Sequence, residues 1–293
     1  MTMKIFYHKN YNAAKHESDT TRKSEHIAKY LGFENMTSPD YLLGVTSCTI
    51  LDIHDSTYVD SVYRGTNMDL AESQGFDWDA GLGVSAKWST AGMLAACDYA
   101  LINKTIAGTL STGLHHAKYY HGEGYCTFNG LVAAAHNYYK TRDICILDFD
   151  AHCGGGTVSM LNLLGMADKV SQYDICTSDY DEYIPDENHQ IISVSNDRQY
   201  MEAVHTVLNE KVDWNNVGLI LYNAGTDPYP TVRHETLYKR DRMVFNECIR
   251  NNVPCAFTIA GGYTWSQSMD SLVQSHVNTV RAAETAVNRQ KVS

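Results

Sequence analysis

The segment Ile144-Cys-Ile-Leu-Asp148-Phe-Asp150-Ala-His152-Cys-Gly-Gly-Gly-Thr157 decides the fold, because it joins an apolar run to a group of polar side chains. An uninterrupted apolar run of this length is typical of a strand that is covered on both faces in a parallel sheet. The polar residues follow where that strand ends, and open parallel sheets bind ligands beyond the carboxyl ends of their strands. The segment therefore predicts a parallel sheet with a functional site at this edge.

Similar apolar runs recur along the chain and alternate with helix-like segments. We predict strands at residues 4–7, 144–150, 191–195, 217–224 and 255–261, and a weaker one at 173–177. We predict helices at 92–101, 130–140, 199–209 and 237–251, and a long excursion at 60–90. This alternation indicates an α/β fold with a mainly parallel sheet flanked by helices on both faces. No repeat or linker divides the chain, so we expect one domain over residues 1–293.

Composition and charge exclude several classes of protein. Hydrophobic residues make up 44% of the chain, which is too many for a disordered protein. The 34 acidic and 23 basic side chains give a net charge of -11, which disfavours nucleic acid and favours a small cationic ligand. The sequence shows no signal peptide, no apolar segment of membrane-spanning length and no C-x-x-C pair among its eight cysteines. We therefore expect a cytoplasmic protein with reduced cysteines and no membrane partner.

Asp148, Asp150 and His152 stand at alternate positions after the apolar run. On an extended chain such positions face the same side, so the two carboxylates and the imidazole would converge. Oxygen and nitrogen ligands of this kind suit zinc or iron(II). The alternative is that the two carboxylates only cap the following loop.

Three further segments place polar residues in the same kind of position. The adjacent His115 and His116 are either a pair of site residues or two surface histidines. The run Tyr222–Pro228 contains Asp227, which is either a site carboxylate or part of an Asp-Pro turn. The run Ile259–Tyr263 carries a phenol after paired glycines. Each segment is weak alone, and their order along the chain is the stronger signal.

In that order, the segments resemble the histone deacetylase superfamily, which includes acetylpolyamine deacetylases and has the arginase/deacetylase fold. The matching motifs are His54-Asp-x-x-Tyr58-Val59, Gly113-Leu-His-His-Ala117, Gly124-Tyr-Cys-Thr-Phe-Asn-Gly130, Asp148-x-Asp150-x-His152, Gly225-Thr-Asp227 and Gly261-Gly-Tyr263. They span nearly the whole chain. The resemblance implies a zinc-dependent amidohydrolase that removes an acetyl or other acyl group from an amine such as acetyl-lysine or an acetylpolyamine.

The resemblance also implies a role for each site residue. It assigns Asp150, His152 and Asp227 to a zinc ion, with iron(II) as a second ion that fits, and a structural potassium ion to the surroundings of Asp148. It assigns the catalytic roles to four residues: the histidine pair His115 and His116, the orienting carboxylate Asp148 and the oxyanion donor Tyr263. It assigns Gly124 and Tyr125 to the substrate tunnel.

A short acidic cluster, Asp77-Trp78-Asp79, falls where the resemblance implies a substrate-contacting loop. Together with the negative net charge, Asp77 and Asp79 predict a small cationic acylated amine or an acetyl-lysine side chain as the binding partner. The alternative is an ordinary solvated loop.

One position departs from the family pattern. Relatives follow the metal-binding histidine with His, Gly and then Asp or Asn, whereas His152 is followed by Cys153-Gly154-Gly155. Gly155 thus replaces the carboxylate or amide partner of His116, whose pKa we expect to be lower unless another acceptor takes that place. This departure leaves a non-catalytic acyl-amine binding protein as a rival function. Two other rivals are an arginase-like ureohydrolase, which shares the fold, and a deacylase for longer acyl chains.

Overall fold

Eight strands form one sheet in the part of the chain that the structure describes. The computed structural model describes residues 3–16 and 18–290, so residues 1, 2, 17 and 291–293 of the predicted domain lie outside it. The strands are β1 Lys4–Phe6, β2 Met36–Thr37, β3 Ile106–Thr109, β4 Asp143–Asp148, β5 Val170–Cys176, β6 His189–Ser193, β7 Val217–Gly225 and β8 Cys255–Ala260. Their order across the sheet is β2-β1-β3-β8-β7-β4-β5-β6, and each of these neighbouring pairs is parallel.

Parallel pairing requires crossover connections, and these contain helices except between β5 and β6, which a loop joins. The α-helices are α1 Asp19–Leu31, α2 Leu43–Ile53, α3 Ser56–Arg64, α4 Met68–Ala71, α5 Leu82–Asn103, α6 Gly130–Tyr138, α7 Gly155–Leu163, α8 Asp197–Thr206, α9 His234–Arg250 and α10 Met269–Gln290. Shorter 3-10 helices lie at Lys9–Asn12, Phe33–Asn35 and Asp40–Leu42, and a π-helical turn at Val207–Lys211 follows α8. Among the described residues, we find no helix with the length and apolar character needed to cross a membrane.

Apolar side chains cover both faces of the sheet. Along β4, Ile144 and Ile146 pack into one hydrophobic cluster, whereas Cys145 and Leu147 pack into the other. This alternation follows from the two-residue period of a strand. Helices α1, α8, α9 and α10 contribute to the cluster that contains Leu147, and α2, α5, α6 and α7 contribute to the cluster that contains Ile146. The predicted α/β fold, with a parallel sheet between two helical layers, is confirmed.

The predicted strands agree with β1, β4, β5, β6, β7 and β8 to within three residues at each end. The prediction missed β2, which has two residues, and β3, whose sequence Ile-Ala-Gly-Thr carries little strand preference because Ala and Gly are depleted in strands. The predicted excursion at residues 60–90 contains the end of α3, all of α4 and the start of α5.

Candidate active site

Five adjacent strands lead polar side chains to one edge of the sheet. In sheet order these are β3, β8, β7, β4 and β5. The residues that follow them are, in the same order, the pair His115 and His116, then Tyr263, then Asp227, then the pair Asp150 and His152, and finally Asp181. Because the strands are parallel, their carboxyl ends meet at a single edge, and residues far apart in sequence become neighbours.

Asp150, His152 and Asp227 form a candidate metal centre. One ligand atom of each residue lies within 4.8 Å of the others. The Nδ1 atom of His152 is 3.1 Å from Oδ1 of Asp150 and 3.3 Å from Oδ2 of Asp227. Oδ2 of Asp150 is buried and accepts no hydrogen bond from the described residues. A buried carboxylate oxygen without a partner is costly, and a cation at this point would satisfy it.

Two glycines allow the chain segments around this centre to approach each other. A Cβ atom at Gly225 would lie 2.4 Å from Cα of Asp150, and one at Gly261 would lie 2.2 Å from Cγ of Asp227. Gly261 also has a φ angle of +49°, which glycine adopts without strain. The glycines of the β7 and β8 ends are therefore required by the close packing of the carboxylates.

The electrostatics of the centre also suit a cation. Burial opposes ionisation of Asp150, but His115 and His152 hold the pKa of its carboxyl far below the usual range. Burial and the neighbouring Asp150 raise the pKa of Asp227. Burial alone would lower the pKa of His152, but its hydrogen bonds to the two carboxylates outweigh burial and raise this pKa to about 11. The two buried carboxylates share the imidazole of His152, and a divalent ion would stabilise both of them in the ionised form.

The imidazole of His115 is paired with a buried carboxylate, that of Asp148. Its Nδ1 atom lies 2.9 Å from Oδ2 of Asp148, and the other oxygen of Asp148 accepts a hydrogen bond from Nδ2 of Asn223 at 2.7 Å. Burial lowers the pKa of His115, but the carboxylates of Asp148 and Asp150 outweigh burial and raise it to about 10. The structure therefore brings together the predicted His115–Asp148 pair beside the candidate metal centre.

His116 also has a carboxylate partner, and it comes from a position that the sequence analysis missed. Its Nδ1 atom is 2.9 Å from Oδ2 of Asp181, in the loop between β5 and β6. The expectation that His116 lacks such a partner because of Gly155 is wrong. A Cβ atom at Gly155 would lie 2.2 Å from the carbonyl oxygen of Asp181, so the glycine makes room for the loop that delivers the carboxylate. The amide of Gly156 donates a second hydrogen bond to Asp181 at 2.9 Å, at the start of α7.

The pKa of His116 is lowered even though Asp181 takes the place of the expected partner. Burial and the adjacent His115 disfavour the imidazolium, while the hydrogen bond to Asp181 acts in the opposite direction. The pKa of Asp181 is also lowered, because its contact with His116 outweighs burial. His116 is therefore a neutral imidazole that is oriented by a carboxylate.

One sequence signal indicates Asp181, because this residue follows the weaker predicted strand, which corresponds to β5. The rule that ligands gather beyond the carboxyl ends of strands would include it. However, the loop also contains Asp179, Glu182 and Asp186, and nothing in the sequence separates these carboxylates from Asp181.

A cavity of about 420 Å³ opens above the candidate metal centre. Its walls include five predicted site residues, and the exposed side chain of Trp265 stands at its rim with 77% of its surface accessible. The predicted site residues in the walls are His116, Gly124, Tyr125, His152 and Tyr263.

Neither Asp77 nor Asp79 lies in the walls of this cavity. Asp79 accepts hydrogen bonds from the amides of Lys15 and Gly81, and its carboxylate lies 3.1 Å from Nε2 of His16. Asp77 is exposed to solvent. Asp79 thus stabilises a loop packed against the N-terminal segment.

Comparisons with known proteins agree with the fold described above. Residues 34–280 match the family model described as "Histone deacetylase domain". An uncharacterised protein of Picosynechococcus sp. is 25% identical over 242 residues, which cover 79% of this chain and 80% of that protein. The crystal structure of an acetylpolyamine aminohydrolase from Burkholderia pseudomallei superposes with a TM-score of 0.76 at 16% identity, covering 97% of this chain and 99% of that one. At that identity the superposition shows a shared fold.

Proposed function

This chain belongs to the histone deacetylase domain family, and from that membership we propose that it is a zinc-dependent amidohydrolase that removes an acetyl or other acyl group from an amine. The observation that carries the proposal is that the three candidate metal ligands, His116 and Tyr263 all line a second, smaller cavity at the sheet edge. We also propose that residues 1–293 form one catalytic domain, a proposal that the single sheet supports.

Asp150, His152 and Asp227 would hold the ion. Two carboxylates and one imidazole are a donor set that suits zinc and leaves coordination positions open, and iron(II) accepts the same donors. The unpartnered oxygen of Asp150 supports a cation at this point. When bound, the ion supplies a Lewis acid that polarises the acyl carbonyl and makes water a stronger acid.

His116 would move the proton. Its Nδ1 atom is engaged by Asp181, so Nε2 is the nitrogen left for the substrate side. The lowered pKa leaves this imidazole neutral and able to accept a proton from the attacking water. The imidazolium formed would face Asp181 and would then donate its proton to the departing amine.

Tyr263 would donate a hydrogen bond to the oxyanion that forms at the acyl carbon. Burial, followed by the charges of Asp227 and Asp150, raises the pKa of its phenol, so it stays protonated and remains a donor. One such donor contributes about 3 kcal/mol to stabilisation of the transition state. Asp148 would stabilise an imidazolium at His115, and that charge would favour the same developing anion.

The substrate would be an acylated amine with a slender chain, such as an acetylpolyamine or an acetyl-lysine side chain. The rings of Tyr125, Tyr180, Tyr263 and Trp265 line the cavity and would pack against the methylene groups of such a chain. Aromatic faces and the net charge of -11 both favour a cationic substrate. The eight cysteines are free thiols, which supports a reducing, cytoplasmic compartment.

The proposal is tested by a turnover screen of the zinc-loaded protein with acetyl-lysine peptides, acetylated polyamines and their butyryl analogues. We expect turnover of an acetylated amine, with stoichiometric metal. Asp150→Ala, His152→Ala and Asp227→Ala should each lose both metal and activity. Asp143→Ala is the matched control, because Asp143 stands at the opposite end of β4 and is partly exposed.

The outcomes also separate the rival functions. Tight binding of acylated amines with no turnover would indicate a binding protein, and two metal ions per chain with arginine hydrolysis would indicate a ureohydrolase. Faster turnover of the butyryl substrates would identify a deacylase for longer chains. Wild-type turnover in any of the three ligand variants would contradict the proposed metal centre.

A further inference from the structure

The loop that carries Tyr263 is attached to the first turn of α1. Oδ2 of Asp19 accepts hydrogen bonds from the amide of Thr264 at 2.7 Å and from its hydroxyl at 2.9 Å. The other oxygen of Asp19 accepts a hydrogen bond from Nη2 of Arg22 at 3.0 Å. Asp19 is only 7% exposed. A buried carboxylate at the start of α1 therefore binds the residue that follows Tyr263, 245 positions later in the chain.

The same turn of α1 makes one more contact with this loop. Thr20 lines the same small cavity as Tyr263. The ammonium group of Lys23, which is fully buried, donates a hydrogen bond to the carbonyl of Gly261. Two side chains of one helical turn, Asp19 and Lys23, thus hold the residues on either side of Gly262 and Tyr263.

The backbone of this loop is not held in a helix or a strand. Residues 261–268 lie between β8 and α10 and contain no regular secondary structure. Gly261 and Gly262 have φ angles of +49° and +82°. Glycine populates positive and negative φ angles about equally well, so these residues do not by themselves fix the backbone. Such a segment populates several conformations unless outside contacts select one, and a shift of about 1 Å in a catalytic group costs up to about 100-fold in rate.

We propose that Asp19 is a positioning residue for Tyr263, which it holds toward the candidate metal centre through the backbone and hydroxyl of Thr264. The proposal rests on the function proposed above, because it takes Tyr263 as the oxyanion donor. Asp19 does not line the cavity beside that centre, so it acts only through the loop. The competing role is stabilisation of α1 alone, since an acidic residue in a first turn favours any helix.

The kinetic test is a double-mutant cycle on the zinc-loaded enzyme. Asp19→Ala should lower kcat about tenfold and leave KM within about twofold, because the lost contact matters in the transition state. In a Tyr263→Phe background the same change should have almost no further effect. Asp19→Asn keeps one side-chain oxygen as an acceptor and should recover part of the loss. Equal losses in both backgrounds would overturn the proposal.

Hydrogen–deuterium exchange tests the same proposal without any substrate. Asp19→Ala should accelerate exchange of the peptide that contains residues 261–266, while peptides from the body of α1 remain protected. Unchanged exchange at residues 261–266, or acceleration confined to α1, would overturn it. If no acylated amine is turned over, the proposed function fails, and the exchange result still decides whether Asp19 holds the loop.

Asp197→Ala is the matched control. Asp197 also lies in the first turn of a helix, α8, and accepts a backbone hydrogen bond from a distant loop residue, Arg233, at 2.9 Å. This contact does not involve residues 261–268. We expect Asp197→Ala to leave exchange of the Tyr263 loop unchanged and to show no coupling with Tyr263→Phe.

Discussion

At the scale of single residues, the position of one carboxylate determines how His116 is held. Asp181 contacts His116 from the loop after β5, and the same oxygen accepts a hydrogen bond from the amide of Gly156. The helix amide anchors the carboxylate, because the first amides of a helix lack intrahelical partners and favour an anion. The orientation of His116 is thereby coupled to the start of α7 and to the absence of a side chain at Gly155.

Asp181→Asn should move the acidic limb of the kcat/KM profile to lower pH by roughly one unit. The charge of Asp181 stabilises the imidazolium of His116 and so opposes the lowering of its pKa by burial and by His115. Without that charge the pKa should fall further, and the base should stay unprotonated to a lower pH. The measurement is a pH–rate profile of both proteins.

Asp179→Asn serves as the control for this shift, since Asp179 is exposed in the same loop two residues earlier. We expect its profile to match that of the unmodified protein. An acidic limb that does not move in Asp181→Asn would mean that the profile reports a base other than His116.

At the scale of helices and strands, α9 contacts two of the strand ends that carry the candidate site. Arg240 is fully buried and donates hydrogen bonds to the carbonyls of Phe149 at 3.0 Å and Gly225 at 2.7 Å. These carbonyls lie at the ends of β4 and β7, next to the candidate metal ligands. Nη2 of Arg240 is also 2.8 Å from Oδ1 of Asp241, which is buried too. One helix thus fixes two strand ends relative to each other.

Arg240→Met should reduce the free energy of unfolding by about 3–5 kcal/mol, because it leaves Asp241 as a buried charge without its partner. Urea denaturation monitored by circular dichroism gives this value. Arg250→Met, in the last turn of the same helix, removes an exposed pair with Glu247 and should cost less than about 1 kcal/mol. A similar small loss in both variants would show that the buried pair is not needed for stability.

The same scale explains what the sequence could and could not predict. Strands such as β4 and β7 are long and apolar, so their residues alone indicate burial on both faces and place polar groups at the sheet edge. β3 is short and contains Ala and Gly, and only its pairing with β1 and β8 makes it a strand. The contacts Asp181–His116 and Asp19–Thr264 join segments that no local period relates. They depend on packing in three dimensions, so sequence reasoning did not find them.

At the scale of the whole molecule, the order of the strands assembles the site. Strands β3, β8, β7, β4 and β5 are neighbours in the sheet but not in the chain, and each contributes at least one group to the site. No segment of the chain contains the three candidate metal ligands together, since Asp227 lies on a different strand end from Asp150 and His152. The centre therefore exists only in the folded protein, and metal binding should favour folding.

Removal of the metal should lower the thermal midpoint of unfolding. An ion that binds only the folded chain stabilises it by about 2.7 kcal/mol when the free ion is 100-fold above its Kd. Differential scanning calorimetry with zinc and with a chelator measures the difference. Asp227→Asn should abolish most of the zinc-dependent increase. An equal increase in that variant would mean that zinc binds elsewhere.

The location of Asp181 also bears on how inactive relatives are recognised. A comparison of sequence positions finds glycine at position 155, where the family pattern has Asp or Asn. It would therefore class this protein with members that keep the fold but lack catalytic activity. A comparison of atoms in space finds a carboxylate beside His116, because Oδ2 of Asp181 lies 2.9 Å from its Nδ1 atom. To decide whether such a protein keeps a carboxylate partner for this histidine, its structure must be compared with others. The comparison must look for a carboxylate oxygen near the residue that corresponds to His116, whichever residue carries it.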